Sequence, residues 1–153
     1  MSEQEAPEQQ FAVQRIFIKD MSFEAPMGAE VFAQQWKPQM HVELNTSASK
    51  GPEELHEVVL SITVTAKLEE KVAMLVEVQQ AGLFAVKGIE GEQLKQVLAI
   101  MCPNLLFPYA RETIDNLAVK GGFPPVGLQP VNFEALFMQA QQNAQKQAAE
   151  AAH

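Results

Sequence analysis

From Glu57 to Gln80 the chain alternates apolar and polar residues with a period of two, and such a run hides its apolar face only as β-strand. Val58, Leu60, Ile62, Val64, Ala66 and Leu68 share one parity, while Ser61, Thr63, Thr65 and Lys67 share the other. After Glu69-Glu70-Lys71 the alternation resumes, with Val72, Met74, Val76 and Val78 set against Leu75, Glu77 and Gln79. A three-residue loop at 69–71 places Leu68 opposite Val72, Val64 opposite Val76 and Ile62 opposite Val78. A two-residue loop places Ile62 opposite Glu77 and brings a carboxylate onto the apolar face, so hydrophobic register favours the longer loop. The hairpin then has a valine-rich inner face that needs helices over it. Its outer face carries Thr63, Thr65, Leu75, Glu77 and Gln79, and meets water or a partner.

The rest of the chain reads around that hairpin. Phe11 to Ala25 has apolar residues on both parities, as in a strand covered on both sides or shared with another subunit. Asp20, Ser22 and Glu24 share a parity at its far end. Residues 26–38 form a loop with one apolar anchor, Trp36. Met40, Val42 and Leu44 alternate with His41, Glu43 and Asn45 in a further strand, and 46–54 is a turn. Gly82 interrupts the run to Val86 and is a candidate bulge. Leu94, Val97, Leu98 and Met101 recur at helical spacing. Pro103 and Pro108 stop or bend this helix near Cys102 before it resumes with Ile114 and Leu117 and ends at Gly121-Gly122. Asn132 caps a last helix with Phe133, Leu136, Phe137 and Ala140 on one side. The fold class is α+β: a four-stranded antiparallel sheet followed by two C-terminal helices, the first long and bent. Residues 1–10 read as a disordered acidic tail, 11–140 as a single domain, and 141–153 as a polar Ala/Gln-rich helical extension or tail.

Charge and chemistry exclude several classes. A formal net charge of −8 repels nucleic-acid backbones and anionic membranes and favours a partner with a basic face. One cysteine, Cys102, cannot form an internal disulfide and fits a reducing compartment. The first ten residues lack the basic start and apolar core of a signal peptide, and no apolar run approaches the ~18 residues of a membrane span. The expected location is the cytoplasm, with no direct membrane insertion. There is no phosphate-cradling glycine loop. His41, His56 and His153 have no metal-ligand spacing to one another or to Cys102. The reading is a non-enzyme without metal or cofactor. Trp36, Phe123, Phe133, Phe137 and Met138 lie outside the strands. Each alone reads as a core seal; together they are the flat and flexible surfaces a tolerant apolar groove uses.

Four passages carry a family resemblance: Ile16 to Pro26 (IFIKDMSFEAP), Leu75 to Gly91 (LVEVQQAGLFAVKGIEG), Cys102 to Glu112 (CPNLLFPYARE) and Gly122 to Met138 (GFPPVGLQPVNFEALFM). In this order the chain resembles the SecB family of bacterial export chaperones from about Phe11 to Met138. The resemblance implies an ATP-independent holdase that keeps unfolded preproteins export-competent. It also implies delivery to the SecA motor through SecA's basic zinc-bearing tail, and a homotetramer built as a dimer of dimers. It carries SecA docking to Asp20, Glu24, Leu75 and Glu77, and client-peptide binding to Trp36, Met40, Phe133, Phe137 and Met138. Two alternatives stay open at this point: a relative dedicated to one client, such as an unstable antitoxin, and a small-molecule-binding protein or enzyme using the same groove.

Overall fold

A computed structural model describes residues 8–152 of the 153-residue chain. Most of the expected N-terminal tail, and His153, lie outside the described residues. The strands are β1 (Gln10–Glu24), β2 (Gln39–Lys50), β3 (His56–Leu68) and β4 (Lys71–Lys87). They form one antiparallel sheet in the order β1-β4-β3-β2, so β1 and β2 are its edges.

In the central hairpin Ile62 lies opposite Val78 and Val64 opposite Val76, as hydrophobic register requires. The turn differs from the expected three-residue loop. Leu68 pairs with Lys71, not Val72, which leaves a two-residue turn of Glu69 and Glu70. Ala73 is then an extra residue between the pairs Ala66–Met74 and Lys67–Val72. This bulge reconciles the tight turn with the apolar register, because one added residue restores the parity that the shorter loop would have inverted. Gly82, the expected bulge, pairs regularly. A Cβ there would lie 2.7 Å from the Phe84 ring, so its lack of a side chain makes room for that ring.

β1 explains its own mixed parity in the same way. Gln14 and Lys19 are extra residues opposite β4. The inner set is therefore Phe11 and Val13, then Ile16 and Ile18, then Met21 and Phe23, with a change of parity at each bulge. The strand is an edge with one apolar face, not a strand covered on both sides.

The helical layer begins with α1 (Gly91–Gln96), passes through a π-helical turn (Val97–Met101) and continues as α2 (Cys102–Lys120). The wide turn ends two residues before Pro103, whose ring collides with the carbonyl of residue 99 in regular α-geometry and has no N–H to offer it. The helix therefore widens here rather than stopping, and it runs on through Pro108. Leu106, Phe107, Ala110 and Ile114 face the sheet and bury Leu60, Ile62, Val64, Val76 and Val78. Each such side chain contributes about 1.5–3 kcal/mol on burial. The loop between β1 and β2 contains a 3-10 turn, Gly28–Ala33, whose Val31 is 3% exposed and is a deeper anchor than Trp36. The connection from β2 to β3 holds Glu53 and Glu54 at φ 55° and 63°, closed by the Gly51 N–H donating to Leu55 O at 2.7 Å.

α2 ends as its glycine pair predicts. Gly122 has φ 88°; its N–H donates to Val119 O at 3.0 Å and the Phe123 N–H to Ala118 O at 2.9 Å. This paired arrangement closes a helix with a left-handed residue and brings the next apolar side chain back onto the last turn. Phe123 is thereby buried beside Ala118. Asn132 caps α3 (Phe133–Ala151), its Oδ1 accepting from the Ala135 N–H at 3.0 Å, and α3 is exposed from Met138 onward. Gly122→Ala places a Cβ in left-handed backbone and lowers the unfolding free energy by about 1–2 kcal/mol, measurable as a shift in urea midpoint.

Candidate functional site

Two surfaces of the sheet stand out, one on each face. On the outer face the second β1 bulge sets Asp20 opposite Gln79, Ser22 opposite Glu77 and Glu24 opposite Leu75. The four residues assigned to SecA docking, Asp20, Glu24, Leu75 and Glu77, thus stand on two neighbouring strands of one face. The rows continue across the sheet, from Glu77 through Thr63 to Glu43 and from Leu75 through Thr65 to His41. His41 Nε2 lies 3.2 Å from Glu43 Oε1. Among the described residues Asp20, Glu24 and Glu77 have no ion pair within the subunit, and all three are exposed. Such a face offers unneutralised carboxylates around one half-buried leucine, a fit for a basic segment carrying an apolar side chain.

On the inner face, the β2 edge is only partly covered by helices. Three clefts step along it. The first, of about 250 Å³, lies between Val42 and Leu44 of β2 and Phe107, Leu128 and Val131. The second, of about 300 Å³, lies between Leu44 and Thr46 and Ala99, Leu136 and Phe137. The third, of about 270 Å³, lies between Thr46 and Ala48 and Leu98 and Phe137. Successive clefts are displaced by two residues of β2, the repeat at which an extended chain turns side chains to one side. Among the described residues β2 pairs only with β3, so its outer backbone N–H and C=O groups are open to such a chain.

The five residues assigned to client binding divide between places. Phe137 lines two of the clefts. Phe133 lines one but is 2% exposed and packs edge-on against Phe107 at 6.2 Å, as part of the core beneath the cleft. Met40 is 43% exposed on the inner face, one alternate position before Val42. Met138 is 54% exposed and lines none of these clefts. Trp36 belongs to an aromatic group centred on Phe123, with ring centroids at 5.0 Å from Trp36, 5.7 Å from Phe32 and 6.3 Å from Phe23. Sequence reasoning passed over Val42, Leu44, Ala99 and Leu128. The alternation in β2 shows Val42 and Leu44 turned inward, but nothing in it says that β2 is an edge.

Neither perturbed titratable group lies at these surfaces. Burial, and then the Lys50 ammonium, hold His56 below its ordinary value. The fold therefore favours the neutral ring, and the stability this gives is lost as pH falls below the unfolded value. Burial pushes the Cys102 thiol up to about 12, so near neutral pH it is protonated and shut away from solvent. Among the described residues no group of three His, Cys, Asp or Glu side chains is placed to hold a metal ion, and no helix is long and apolar enough to cross a membrane. A thiol reagent at about pH 8 should leave Cys102 untouched in the native protein and modify it fully in denaturant.

Comparison with known proteins gives a consistent result. Residues 3–144 match the family model described as preprotein translocase subunit SecB. The protein-export protein SecB of Marinobacter nauticus is 56% identical over 140 residues, covering 92% of this chain and 85% of that protein. Its counterpart in Hahella chejuensis is 54% identical over 146 residues, covering 95% and 92%. Among solved structures, a SecB-like chaperone of Mycobacterium tuberculosis, in complex with a peptide from an antitoxin, shares the fold with a TM-score of 0.59 at 17% identity, covering 79% of this chain and 87% of that one.

Proposed function

Because the chain belongs to the SecB family of protein-export chaperones, we propose that it holds unfolded preproteins in the clefts along β2 and engages the SecA motor through the acidic face of β1 and β4. The coarse activity is that of the family: a chaperone that delivers preproteins to the Sec translocase. The observation that carries the finer reading is the placing of two unlike surfaces on opposite faces of one sheet. Uncovered apolar clefts lie inside and unpaired carboxylates outside, so client and motor need not compete. Identity of 54–56% to protein-export proteins favours export over service to a single antitoxin.

The clefts take extended, apolar, non-native chain. Three side chains buried at about 1.5–3 kcal/mol each give roughly 4.5–9 kcal/mol, against an association cost of about 4–15 kcal/mol. One groove is therefore weak and unselective, and tight holding comes from several grooves on one long client. That is the physical use of a homotetramer, a dimer of dimers, working in the cytoplasm without nucleotide. Support for assembly comes from apolar surface away from the clefts. Val13, Ile18 and Met21 on β1 and Met101, Leu105 and Tyr109 on the long helix are 39–52% exposed, and a second copy would cover them.

Motor docking is electrostatic in this reading. An exposed ion pair is worth only about 0.2–1 kcal/mol, so several copies of the acidic face act together. SecA affinity should fall steeply between low and high ionic strength, and salt-independent binding would exclude the acidic face as its basis. Val42→Ala combined with Phe137→Ala, both of which line the clefts, should weaken client holding about tenfold or more. The readout is light scattering from an aggregating unfolded protein, with assembly checked by native mass; undiminished protection from an intact assembly rules out the groove.

A further inference from the structure

Asp20, Ser22 and Glu24 reach the outer face because Lys19 is an extra residue. Ile18 stands opposite Gln80 and Asp20 opposite Gln79, with Lys19 left between them. Strict alternation from the inward-facing Ile18 would turn Asp20 and Glu24 toward the helices, and Met21 and Phe23 toward solvent. Downstream the correct facing is secured by Phe23, whose ring packs beside Phe123 and fills the space above Gly121. At the bulge itself the contact comes from Gln80.

Gln80 is 2% exposed, a carboxamide in the inner row of β4 between Val78 and Gly82. Its Nε2 donates to the carbonyl oxygen of Phe17 at 3.0 Å, while its Oε1 has no partner among the described residues. Half-satisfied buried amides are poor packing groups, and leucine occupies similar space with nothing left unpaired. What Gln80 supplies that leucine cannot is a grip on β1 one residue before Ile18. On the opposite face the extra residue is tied as well, with Lys19 Nζ 3.0 Å from Glu57 Oε1. The solvent-screened ion pair holds the weaker side of the bulge, and the part-buried hydrogen bond the stronger.

We infer that Gln80 is a positioning residue for motor docking: through the Phe17 carbonyl it holds the Lys19 bulge, and so the outward facing of Asp20 and Glu24. This rests on the reading of those carboxylates as the SecA-docking face. The bulge exists to absorb one surplus residue. Removing Lys19 leaves Ile18 opposite Gln80 and Asp20 opposite Gln79 with no surplus, and the clamp is then unnecessary.

The test measures SecA affinity at low salt and client holding in the same preparations. Gln80→Leu should lower SecA affinity about five- to tenfold and leave client holding unchanged, since the clefts lie at the other edge of the sheet. Deletion of Lys19 in the Gln80→Leu background should restore SecA affinity, and deletion of Lys19 alone should preserve it. Full SecA affinity in Gln80→Leu overturns the clamp. A loss that the deletion fails to restore overturns it equally, because it marks Gln80 as a general packing residue. Asp20→Asn with Glu24→Gln is the separate control. If that pair binds SecA undiminished, the docking reading falls and the clamp with it; if it weakens while Gln80→Leu does not, only the clamp falls.

Discussion

A β-strand shows its two faces in strict alternation, and only an added residue can exchange them while the ladder continues. This sheet meets that constraint three times, at Gln14 and Lys19 on β1 and at Ala73 on β4. Each bulge keeps an apolar row on the helix-facing side of the sheet. The bulge at Ala73 permits a two-residue turn without burying Glu77. The bulge at Lys19 separates Ile18, which faces inward, from Asp20, which faces outward. Core and acidic face are thus solved together, by the same extra residues.

The second dependence is on incomplete coverage. One long helix lies over the middle of a four-stranded sheet, buries β3 and β4 and leaves both edges short of cover. On β2 the shortfall appears as clefts bounded by the chain that returns from α2 to α3. On β1 it appears as exposed Val13, Ile18 and Met21. The buried apolar side chains of the sheet are concentrated in the central pair of strands, β3 and β4. The edges are left for interaction. In the proposed reading, clefts of this size give weak, repeated contacts, which suit a chaperone that must release what it holds.

How much of this was legible in the residues depends on the range of each interaction. The hairpin faces, the cap at Asn132 and the helix end at Gly121-Gly122 are local, and composition at a fixed period exposes them. Register within the hairpin was legible from Ile62, Val64, Val76 and Val78. The bulge at Ala73 was not, because a small apolar residue fits either face. On β1 the mixed parity was visible, but the two bulges behind it were not among its readings, and only the pairing with β4 reveals them. The outward facing of Leu75 and Glu77 followed from alternation. Their meeting with Asp20 and Glu24 needed the sheet order. For the groove, Phe137 was recognisable as an apolar side chain on a polar helix. Val42 and Leu44 gain their meaning from β2 being an edge, and Trp36 from its contact with Phe123, and no sequence-local rule supplies either.

The turn between β2 and β3 carries a consequence for the clefts. Glu53 and Glu54 both hold left-handed backbone, a conformation that costs side-chain-bearing residues roughly 1–2 kcal/mol each. That energy is kept in place by the ladder joining β2 to β3. Backbone strain beside the groove rim is therefore concentrated next to its Thr46–Ala48 end, where β2 runs into this turn, and not at Met40–Val42.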